Sequence, residues 1–582
     1  MISSDRPVTP PIGGQSAVDA SRGYLVPLLG AFLVSFLLYA NTIPGRFVFD
    51  DRIFVDRPEL RTAGGIVQNW REPLLWQGND IGVWRPLTIT SFGLNFLSAG
   101  ESPASFHITN ILINGLVTFL VFVVAAELFG SQPLAYFTAL AFALFPIHSN
   151  VVAHIKARDD LLSTLFILLA WLSFLKAVAA AGRRRALLLV TSSSLYLLAI
   201  FSKELALFAP ALFLATHWAR NRASVRSLFH LGAAFVPTVP LYLAVRWQVF
   251  SSRLTFGAGD QFFVVDRLLD ADWPAKFWTP FKVALYAIGK TFVPVNLSAT
   301  YRYNHFKLVS GPLHWEVLAG VLLLVLLIGL LWWRRTRGTP LGVGAAAFLV
   351  SYAPFSKFIV QGSDIFAERW LYLPSVGLAM VAAAILVWLC RWRRWLALGL
   401  AALVAVAYSS VVIPRNTVWL TPETLARSMV KDAPDSIQGY TGMAIYHIGR
   451  GEFNAARPYV AQARRIYDRD QNLLLLRAQL AFHDGDYQMV RQLALQAFEE
   501  GPNLADPTLR ALVLAIGGNY GEVIVFIAQN RHLASIAARD PTVRFILALS
   551  YYRLGDEIAT GRYLDWDPGK TTEEELKILQ EF

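Results

Sequence analysis

Long apolar runs alternate with short polar connectors through the first ~410 residues of the chain. A run of about 17 to 25 apolar residues is long enough to cross the hydrocarbon core of a bilayer as a helix. The first run, Tyr24 to Ala40, lacks a small-residue cleavage site and is followed by further runs, so it is expected to be a retained anchor. The candidate spans begin near Tyr24, Ile111, Leu134, Leu161, Ala186, Leu205, Phe229, Leu313, Leu341, Leu371 and Trp395. The pattern therefore predicts an all-α, polytopic membrane protein with about 11 transmembrane helices.

The short connectors carry clusters of arginine, which set the orientation of the spans. These clusters are Arg183 to Arg185, then Arg220, Arg222 and Arg226, then Arg334, Arg335 and Arg337, and finally Arg391, Arg393 and Arg394. The positive-inside rule places all of them in the cytoplasm if residues 1–22 form a cytoplasmic tail and the C-terminus lies outside. The apolar segment Phe281 to Val295 would invert the last two clusters if it crossed, so it is interpreted as a re-entrant or interfacial helix on the outer side.

Composition agrees with a membrane protein. Hydrophobic residues make up 55% of the chain and charged residues 16%, against roughly 25% charged residues in soluble domains. The single cysteine, Cys390, excludes an intramolecular disulfide and a cysteine-based metal cluster. The net charge of +11 resides largely in the connectors, so we expect lipid bilayer contact and no nucleic acid.

The last part of the chain changes character and reads as amphipathic helices joined by glycine turns. Small and aromatic residues repeat from Gly442 through Ala456, again from Ala478 through Ala494, and again from Ala548 through Tyr563. Spacings near 34 residues are typical of tetratricopeptide repeats, although a generic helical bundle is the alternative. The predicted organisation is a cytoplasmic tail (1–22), a transmembrane domain (23–413) with an external loop (41–106), and an external repeat domain (414–582).

The predicted topology collects polar residues at the outer ends of the spans. Asp50 and Asp51 follow the first span, and adjacent carboxylates can supply a general base or help to hold a metal. The simpler alternative is a turn or helix cap. The other candidates at this side are His107, His148, Arg158, Asp160, Lys203, Glu204, Arg302, Glu368 and Arg369. Arginine and lysine there suit a phosphate, whereas the alternatives are solvated loops and local ion pairs.

Several common chemistries find no support in the sequence. His148 and His154 do not form an HExxH pattern, so zinc catalysis is not expected. No Walker loop, GxGxxG fingerprint or GxSxG elbow occurs in a usable context. Charged residues beside membrane helices are costly, so their gathering on one side predicts a functional site.

The order of several motifs resembles a known family. After the Asp-Asp pair come WRPLT (84–88), FHITN (106–110), FPIHSNVVAHIKARDDLLS (145–163), SKE (202–204) and AERWLYLPSVG (367–377). Together with the closing repeats, this pattern is similar to that of the membrane-bound tetratricopeptide-repeat O-mannosyltransferases. It resembles more distantly the protein O-mannosyltransferases of the GT-C glycosyltransferase superfamily.

The resemblance implies a GT-C-like fold and a polyprenyl- or dolichyl-phosphate-linked sugar donor. It implies that Asp50 is the general base with Asp51 in support, and that the sugar passes to a hydroxyl of a protein or glycan acceptor by inverting transfer. It further implies that Arg158, Lys203, Arg302 and Arg369 bind the donor phosphate. The supporting residues implied are His107, His148, Asp160, Glu204 and Glu368. No cofactor is required, and a divalent metal is possible.

Three other functions remain open at this point. One is transfer of a sugar or oligosaccharide to lipid or polysaccharide by a ligase or polymerase. Another is a transporter or flippase of lipid-linked sugars, although transporters favour polar residues near the bilayer midplane. The last is a membrane-anchored repeat scaffold. The expected location is a bacterial inner membrane with the repeats in the periplasm, or the endoplasmic reticulum membrane of a eukaryote.

Overall fold

The structure is a computed structural model, and it describes most of the chain. The described residues are 17–582 except 56, 77–78, 222, 251–267, 269–270, 303, 334, 337, 360–363, 501–506, 531–532, 535–536, 567–569 and 582. Most of the predicted cytoplasmic tail therefore lies outside the described residues. So do Arg222, Arg334 and Arg337 of the predicted cytoplasmic connectors.

Helices dominate the part of the chain before the repeats. In chain order they are α1 (Ala17–Tyr39), α2 (Arg52–Val55), α3 (Ala63–Gln68), α4 (Pro86–Ala99), α5 (Pro103–Phe129), α6 (Gln132–Leu144), α7 (Ser149–Val152), α8 (Arg158–Ala179) and α9 (Gly182–Ser202). They continue with α10 (Ala209–Asn221), α11 (Val225–Gly232), α12 (Thr238–Val249), α13 (Trp273–Phe292), α14 (Trp315–Trp332), α15 (Pro340–Tyr352), α16 (Ser375–Trp392) and α17 (Arg394–Asn416).

Eight helical segments within the described ranges are long and apolar enough to cross a membrane. They are Gly23–Thr42, Pro103–Phe129, Ile155–Ala179, Gly182–Ser202, Val225–Val249, Trp315–Trp332, Ser375–Trp392 and Arg394–Trp419. A bent pair, Gln132–Leu144 with Pro146–Val152, makes a ninth if its two arms form one span broken by 53°. The chain is accordingly a multi-pass integral membrane protein, as its hydropathy predicts.

The predicted number of about 11 spans exceeds what the helix lengths support. Two of the sequence candidates fold as shorter helices, α10 and α15, each of 13 residues. At 1.5 Å per residue such a helix is about 20 Å long, short of the ~30 Å core. These two helices pack against each other inside the bundle.

The segment predicted to be re-entrant is a longer, continuous helix. α13 has 20 residues and begins at Trp273, before the predicted start at Phe281. It carries Lys276, Lys282 and Lys290, and this charge keeps it out of the set of apolar spans. Lys282 pairs with Glu316 at 3.0 Å, which fastens α13 to the N-terminus of α14. Its position relative to the bilayer stays a prediction.

The loop between the first two spans is folded. Besides α2, α3 and α4, it contains an antiparallel hairpin of β1 (Leu74–Trp76) and β2 (Asn79–Val83), the exception to the all-α prediction among the described residues. Phenylalanines from α2, α4 and α5 form a small core beneath this loop, and Phe54 stacks on Phe92 with ring centroids 3.9 Å apart. The loop is therefore fixed on the end of the helical bundle.

The C-terminal part is a succession of helical hairpins. Its helices are α18 (Pro422–Asp432), α19 (Ile437–Ile448), α20 (Phe453–Ile466), α21 (Gln471–His483), α22 (Tyr487–Glu500), α23 (Pro507–Ile516), α24 (Tyr520–Gln529), α25 (Pro541–Arg553), α26 (Glu557–Tyr563) and α27 (Thr572–Glu581). Left-handed glycines recur in the turns at Gly451, Gly485, Gly518 and Gly555, 33 to 37 residues apart. This period is close to that of tetratricopeptide repeats, and the assignment to that repeat class stays a prediction.

Candidate functional site

The Asp-Asp pair lies in a short 3-10 turn, Phe49–Asp51, that separates the two carboxylates. Asp51 is fully buried and accepts from the backbone N–H of Val48 at 2.7 Å and of Lys156 at 2.9 Å. It therefore ties the turn to the loop before α8. Burial raises the pKa of Asp51 to about 7, against the effect of these two bonds.

Asp50 differs from Asp51 in how its carboxylate is used. It is half-buried, and no described residue forms a hydrogen bond or ion pair with that carboxylate. The preceding residue, Phe49, has a φ of +50°, which is uncommon for a residue with a side chain. Such strained backbone often occurs at functional sites. Asp50 is thus the carboxylate of the pair that can meet a ligand.

Three cations form a connected group beside Asp50. Asp50 lies within electrostatic range of Lys156 and Arg302, and Arg369 lies within range of Lys156. Arg302 and Arg369 share one carboxylate, because Arg302 Nε is 2.6 Å from Asp364 Oδ1 and Arg369 Nη2 is 3.0 Å from Asp364 Oδ2. Burial alone would raise the pKa of Asp364, but the charges of these two arginines hold it below its usual range.

These cations retain donors that have no partner among the described residues. Arg302 and Arg369 each use a single nitrogen on Asp364, and their side chains are 23% and 15% exposed. Lys156 Nζ lies 3.3 Å from Asp159, with its side chain 19% exposed. Because Lys156 shares Asp159 with the neighbouring charged residues, the positive and negative charges around the site are close to balanced. What the arginines offer a ligand is donors and not excess charge.

A second charged group adjoins the first and is paired internally. Arg85 ion-pairs with Asp159, and its Nε donates to Glu204 at 2.9 Å. Lys203 Nζ donates to Asp160 at 2.6 Å. Burial alone would raise the pKa of Glu204, but the charge of Arg85 and its hydrogen bond to Glu204 lower that pKa to about 2. The Lys203 ammonium group is therefore already bound to Asp160 and is less available to a ligand.

Arg158 lies in the protein interior. Its guanidinium donates to Asn110 at 2.8 Å, Asn95 at 2.6 Å and the Phe106 carbonyl at 3.0 Å, and it is fully buried. It also lies 4.6 Å from the centre of the Phe92 ring. With its donors used in this way, Arg158 fixes the start of α8 and has no free face for a phosphate. This arrangement does not favour the phosphate contact that the resemblance implies for Arg158.

The supporting residues implied by the resemblance have internal partners or apolar surroundings. His148 Nε2 is 2.9 Å from Ser375 Oγ, within the bundle. Glu368 accepts from the Ser298 N–H and the Tyr301 hydroxyl, which fixes the loop that carries Arg302. His107 is buried, and its two ring nitrogens have no hydrogen-bond partner in the described structure. Of these residues, Glu368 acts most directly on the site.

An apolar cleft opens beside the paired group. It lies between α8, α10 and the end of α15. Asp160 and Lys203 stand at its polar end, and Ile167, Ala209 and Leu212 form part of its apolar wall. The site thus combines arginine donors that have no partner among the described residues with a neighbouring apolar cleft.

Sequence reasoning gave no role to Arg85 or Asp364, although each is central to the charge arrangement. Arg85 stands in the WRPLT motif, so the cost of charge near a membrane could have indicated it. Asp364 had no local signal. No group of three or more His, Cys, Asp or Glu that could hold a metal occurs among the described residues, and metal dependence stays untested.

Comparison with known proteins supports the resemblance that the motifs predict. No protein-family model matches the chain. Human "Protein O-mannosyl-transferase TMTC1" is 26% identical over 519 residues, which cover 79% of this chain and 58% of that protein. Mouse "Protein O-mannosyl-transferase TMTC4" is 27% identical over 426 residues, covering 62% and 56%. Over 156 residues, or 26% of this chain and 18% of that protein, Drosophila melanogaster Tmtc1 is 36% identical.

These matches confirm the predicted similarity to the TMTC O-mannosyltransferases. The chain spans little more than half the length of the human and mouse relatives. Crystal structures of ArnT from Cupriavidus metallidurans also match. The one bound to undecaprenyl phosphate has a TM-score of 0.41 and 14% identity over 94% of this chain and 78% of that chain. The apo structure has a TM-score of 0.44 and 15% identity over 85% and 80%.

Proposed function

We propose that this relative of the TMTC proteins is a membrane glycosyltransferase that moves a sugar from a polyprenyl- or dolichyl-phosphate donor to an acceptor hydroxyl. The observation that carries the proposal is the free carboxylate of Asp50 beside the connected group of Lys156, Arg302 and Arg369, whose remaining donors have no partner among the described residues. Asp50 takes the proton of the acceptor hydroxyl as its oxygen attacks the anomeric carbon. The bond from that carbon to the phosphate oxygen breaks, its electrons leave with the phosphate, and the configuration inverts.

The charge of the site suits this donor. A phosphate that links a lipid to a sugar is a diester with one negative charge, and the remaining donors of Arg302 and Arg369 can bind it. When the sugar leaves, the lipid phosphate gains a second charge. Arg302 and Arg369 are held by Asp364 before the donor arrives, so their charges can stabilise the leaving phosphate without rearrangement.

The apolar cleft supports a lipid-linked donor over a nucleotide sugar. Its walls from α8 and α10 begin beside the charged groups and continue into the bundle. An isoprenoid chain buried there contributes favourable transfer of apolar surface from water, roughly 25 cal/mol per Å². Lys203 and Asp160 at its polar end then stand near the phosphate without needing to bind it directly.

The remaining parts of the proposal follow from the topology and the relatives. The name of these relatives, protein O-mannosyl-transferase, makes mannose the first donor sugar to test, with a protein or glycan as acceptor. The organisation into a tail (1–22), a transmembrane domain (23–413) and an acceptor-presenting repeat domain (414–582) is part of the same proposal. So is an extracytoplasmic site, in a bacterial inner membrane or in the endoplasmic reticulum.

The test is sugar transfer by the purified full chain in detergent, with synthetic polyprenyl-phosphate mannose as donor at varied concentration. Arg369→Ala removes a charge-assisted contact worth roughly 1.5 to 3 kcal/mol, which is about ten- to a hundredfold in kcat/KM for the donor. Arg369→Lys should restore only part of this, because an ammonium lacks the planar fork. Arg457→Ala is the matched control, since Arg457 lies on the repeat surface, paired with Asp484.

Two outcomes would overturn the proposal. Wild-type donor dependence in Arg369→Ala would exclude a phosphate contact there. Movement of intact lipid-linked mannose across proteoliposomes, with no transfer to any acceptor, would favour the transporter.

A further inference from the structure

The turn that joins the last candidate span to the C-terminal helical hairpins packs directly on the candidate site. The Trp419 ring stacks on the His154 ring, with centroids 4.6 Å apart and planes 13° from parallel. Next to it, the Arg46 N–H donates to the Leu420 carbonyl at 2.8 Å. Trp419 also belongs to a buried apolar cluster that joins the two parts of the chain. The cluster comprises Val48, Ala153, Ala299, Trp419, Leu425 and Met429.

His154 connects Trp419 to Asp51 and the two N–H groups that Asp51 binds, which we call the Asp51 clamp. His154 Nε2 is 3.6 Å from Asp51 Oδ1, and both residues are buried. Asp51 in turn holds the N–H groups of Val48 and Lys156. Val48 lies two residues before Asp50, and Lys156 is one of the cations beside it. A displacement of His154 would therefore shift both Asp50, the proposed base, and Lys156, a proposed phosphate ligand.

We propose that Trp419 is a positioning residue for the reaction: by stacking on His154 it couples the repeat domain to the Asp50 turn and to Lys156. This rests on the proposed function. The stack is the specific contact, because the Trp419 Nε1 and both His154 ring nitrogens have no hydrogen-bond partner in the described structure. The position of Trp419 therefore requires an aromatic ring that can stack, and it does not require a hydrogen bond from that ring. Acceptor binding on the repeats then acts on the base through α18 and Trp419.

The chain offers a matched control in Trp566. This tryptophan is also buried, with an Nε1 that has no partner among the described residues, and it packs on Phe545 in the distal repeat cluster. Trp566→Leu and Trp419→Leu remove the same ring and keep an apolar side chain. Only Trp419 contacts the site, so the pair separates loss of repeat stability from loss of positioning.

The first measurement is hydrogen exchange on the full chain in detergent, which does not depend on catalysis. Trp419→Leu should raise exchange at the amides of Val48 and Lys156 by at least about tenfold, the sign of local opening. Trp419→Phe, which keeps a stacking ring, should restore most of the protection. Trp566→Leu should leave both amides as in the wild type. Unchanged protection in Trp419→Leu would overturn the inference, whether or not the protein transfers sugar.

Kinetics give the second measurement once mannose transfer is observed. Because Lys156 moves with the clamp, Trp419→Leu should raise the donor KM by roughly three- to tenfold and lower kcat as well. A loss of folded protein lowers only the maximal rate, which is the expected result for Trp566→Leu. An unchanged KM in Trp419→Leu would reduce Trp419 to a structural residue. No transfer by the wild type would overturn the proposed function, while the exchange result still decides the coupling.

Discussion

Replacing Asp50 by Asn tests the base with little disturbance of the fold. The Asp50 carboxylate has no partner among the described residues, so the change should alter the free energy of unfolding by less than about 0.5 kcal/mol. A general base contributes roughly 10² to 10⁴ in rate, which corresponds to about 2.7 to 5.4 kcal/mol of barrier. The variant also removes a negative charge that lies within electrostatic range of Lys156 and Arg302. Donor KM should therefore stay the same or fall while kcat collapses.

The assay is single-turnover transfer from polyprenyl-phosphate mannose, with donor binding measured separately and thermal unfolding as a check on the fold. Asp484→Asn is the control, because Asp484 is an exposed carboxylate that pairs with Arg457 on the repeats. It should behave as the wild type. If Asp50→Asn keeps more than about a tenth of the wild-type rate, a barrier change below ~1.4 kcal/mol, Asp50 is not the base.

Three further substitutions test other parts of the site. Burial raises the pKa of Asp51 to about 7, above the ~3.9 of a free carboxyl, so the native state binds the proton more tightly. That stabilising contribution is complete below about pH 4 and is lost as the pH rises through 7. The free energy of unfolding of Asp51→Asn should therefore increase by about 2 kcal/mol relative to that of the wild type between pH 5.5 and 8.5. A difference between the two proteins that does not depend on pH in thermal unfolding would contradict this. Arg158→Ala should lower the free energy of unfolding by roughly 3 kcal/mol or more, because buried Asn95 and Asn110 lose their donor, and unchanged thermal stability would show that Arg158 does not hold α8. Ala209→Phe narrows the cleft, so it should raise KM for an undecaprenyl donor more than for a farnesyl donor, and equal effects would place the lipid elsewhere.

The sequence predicts those features of the fold that depend on local pattern. Nine of the predicted spans correspond to helices that pass the length and hydropathy requirement, if the bent pair counts as one. The remaining two, near Leu205 and Leu341, are apolar because they are buried in the bundle. Hydropathy cannot distinguish an apolar helix packed on protein from one that faces lipid. The glycine turns of the C-terminal hairpins were visible because each turn requires a left-handed residue.

The site was less predictable because its contacts are long-range. The adjacent residues Asp50 and Asp51 have the same chemistry, and only the fold shows that Asp51 is buried with two backbone partners while Asp50 has none among the described residues. The pair Arg85 and Glu204 is separated by 119 residues. Arg158 looked like a phosphate ligand because an arginine at a span end is costly. The asparagines that satisfy it stand on other helices, where no spacing rule connects them.

The path of α17 limits what the repeats can reach. This helix, Arg394–Asn416, continues through a 3-10 turn at Thr417–Trp419 into α18, with no polar linker between the last span and the first repeat. A flexible tether would let the repeats search a wide volume, at an effective concentration set by its length. A helix that passes directly into the first hairpin instead holds them at one height and one rotation relative to the bundle. Substrate choice would then depend on distance as well as on sequence, and inserting residues after Asn416 should relax that selection.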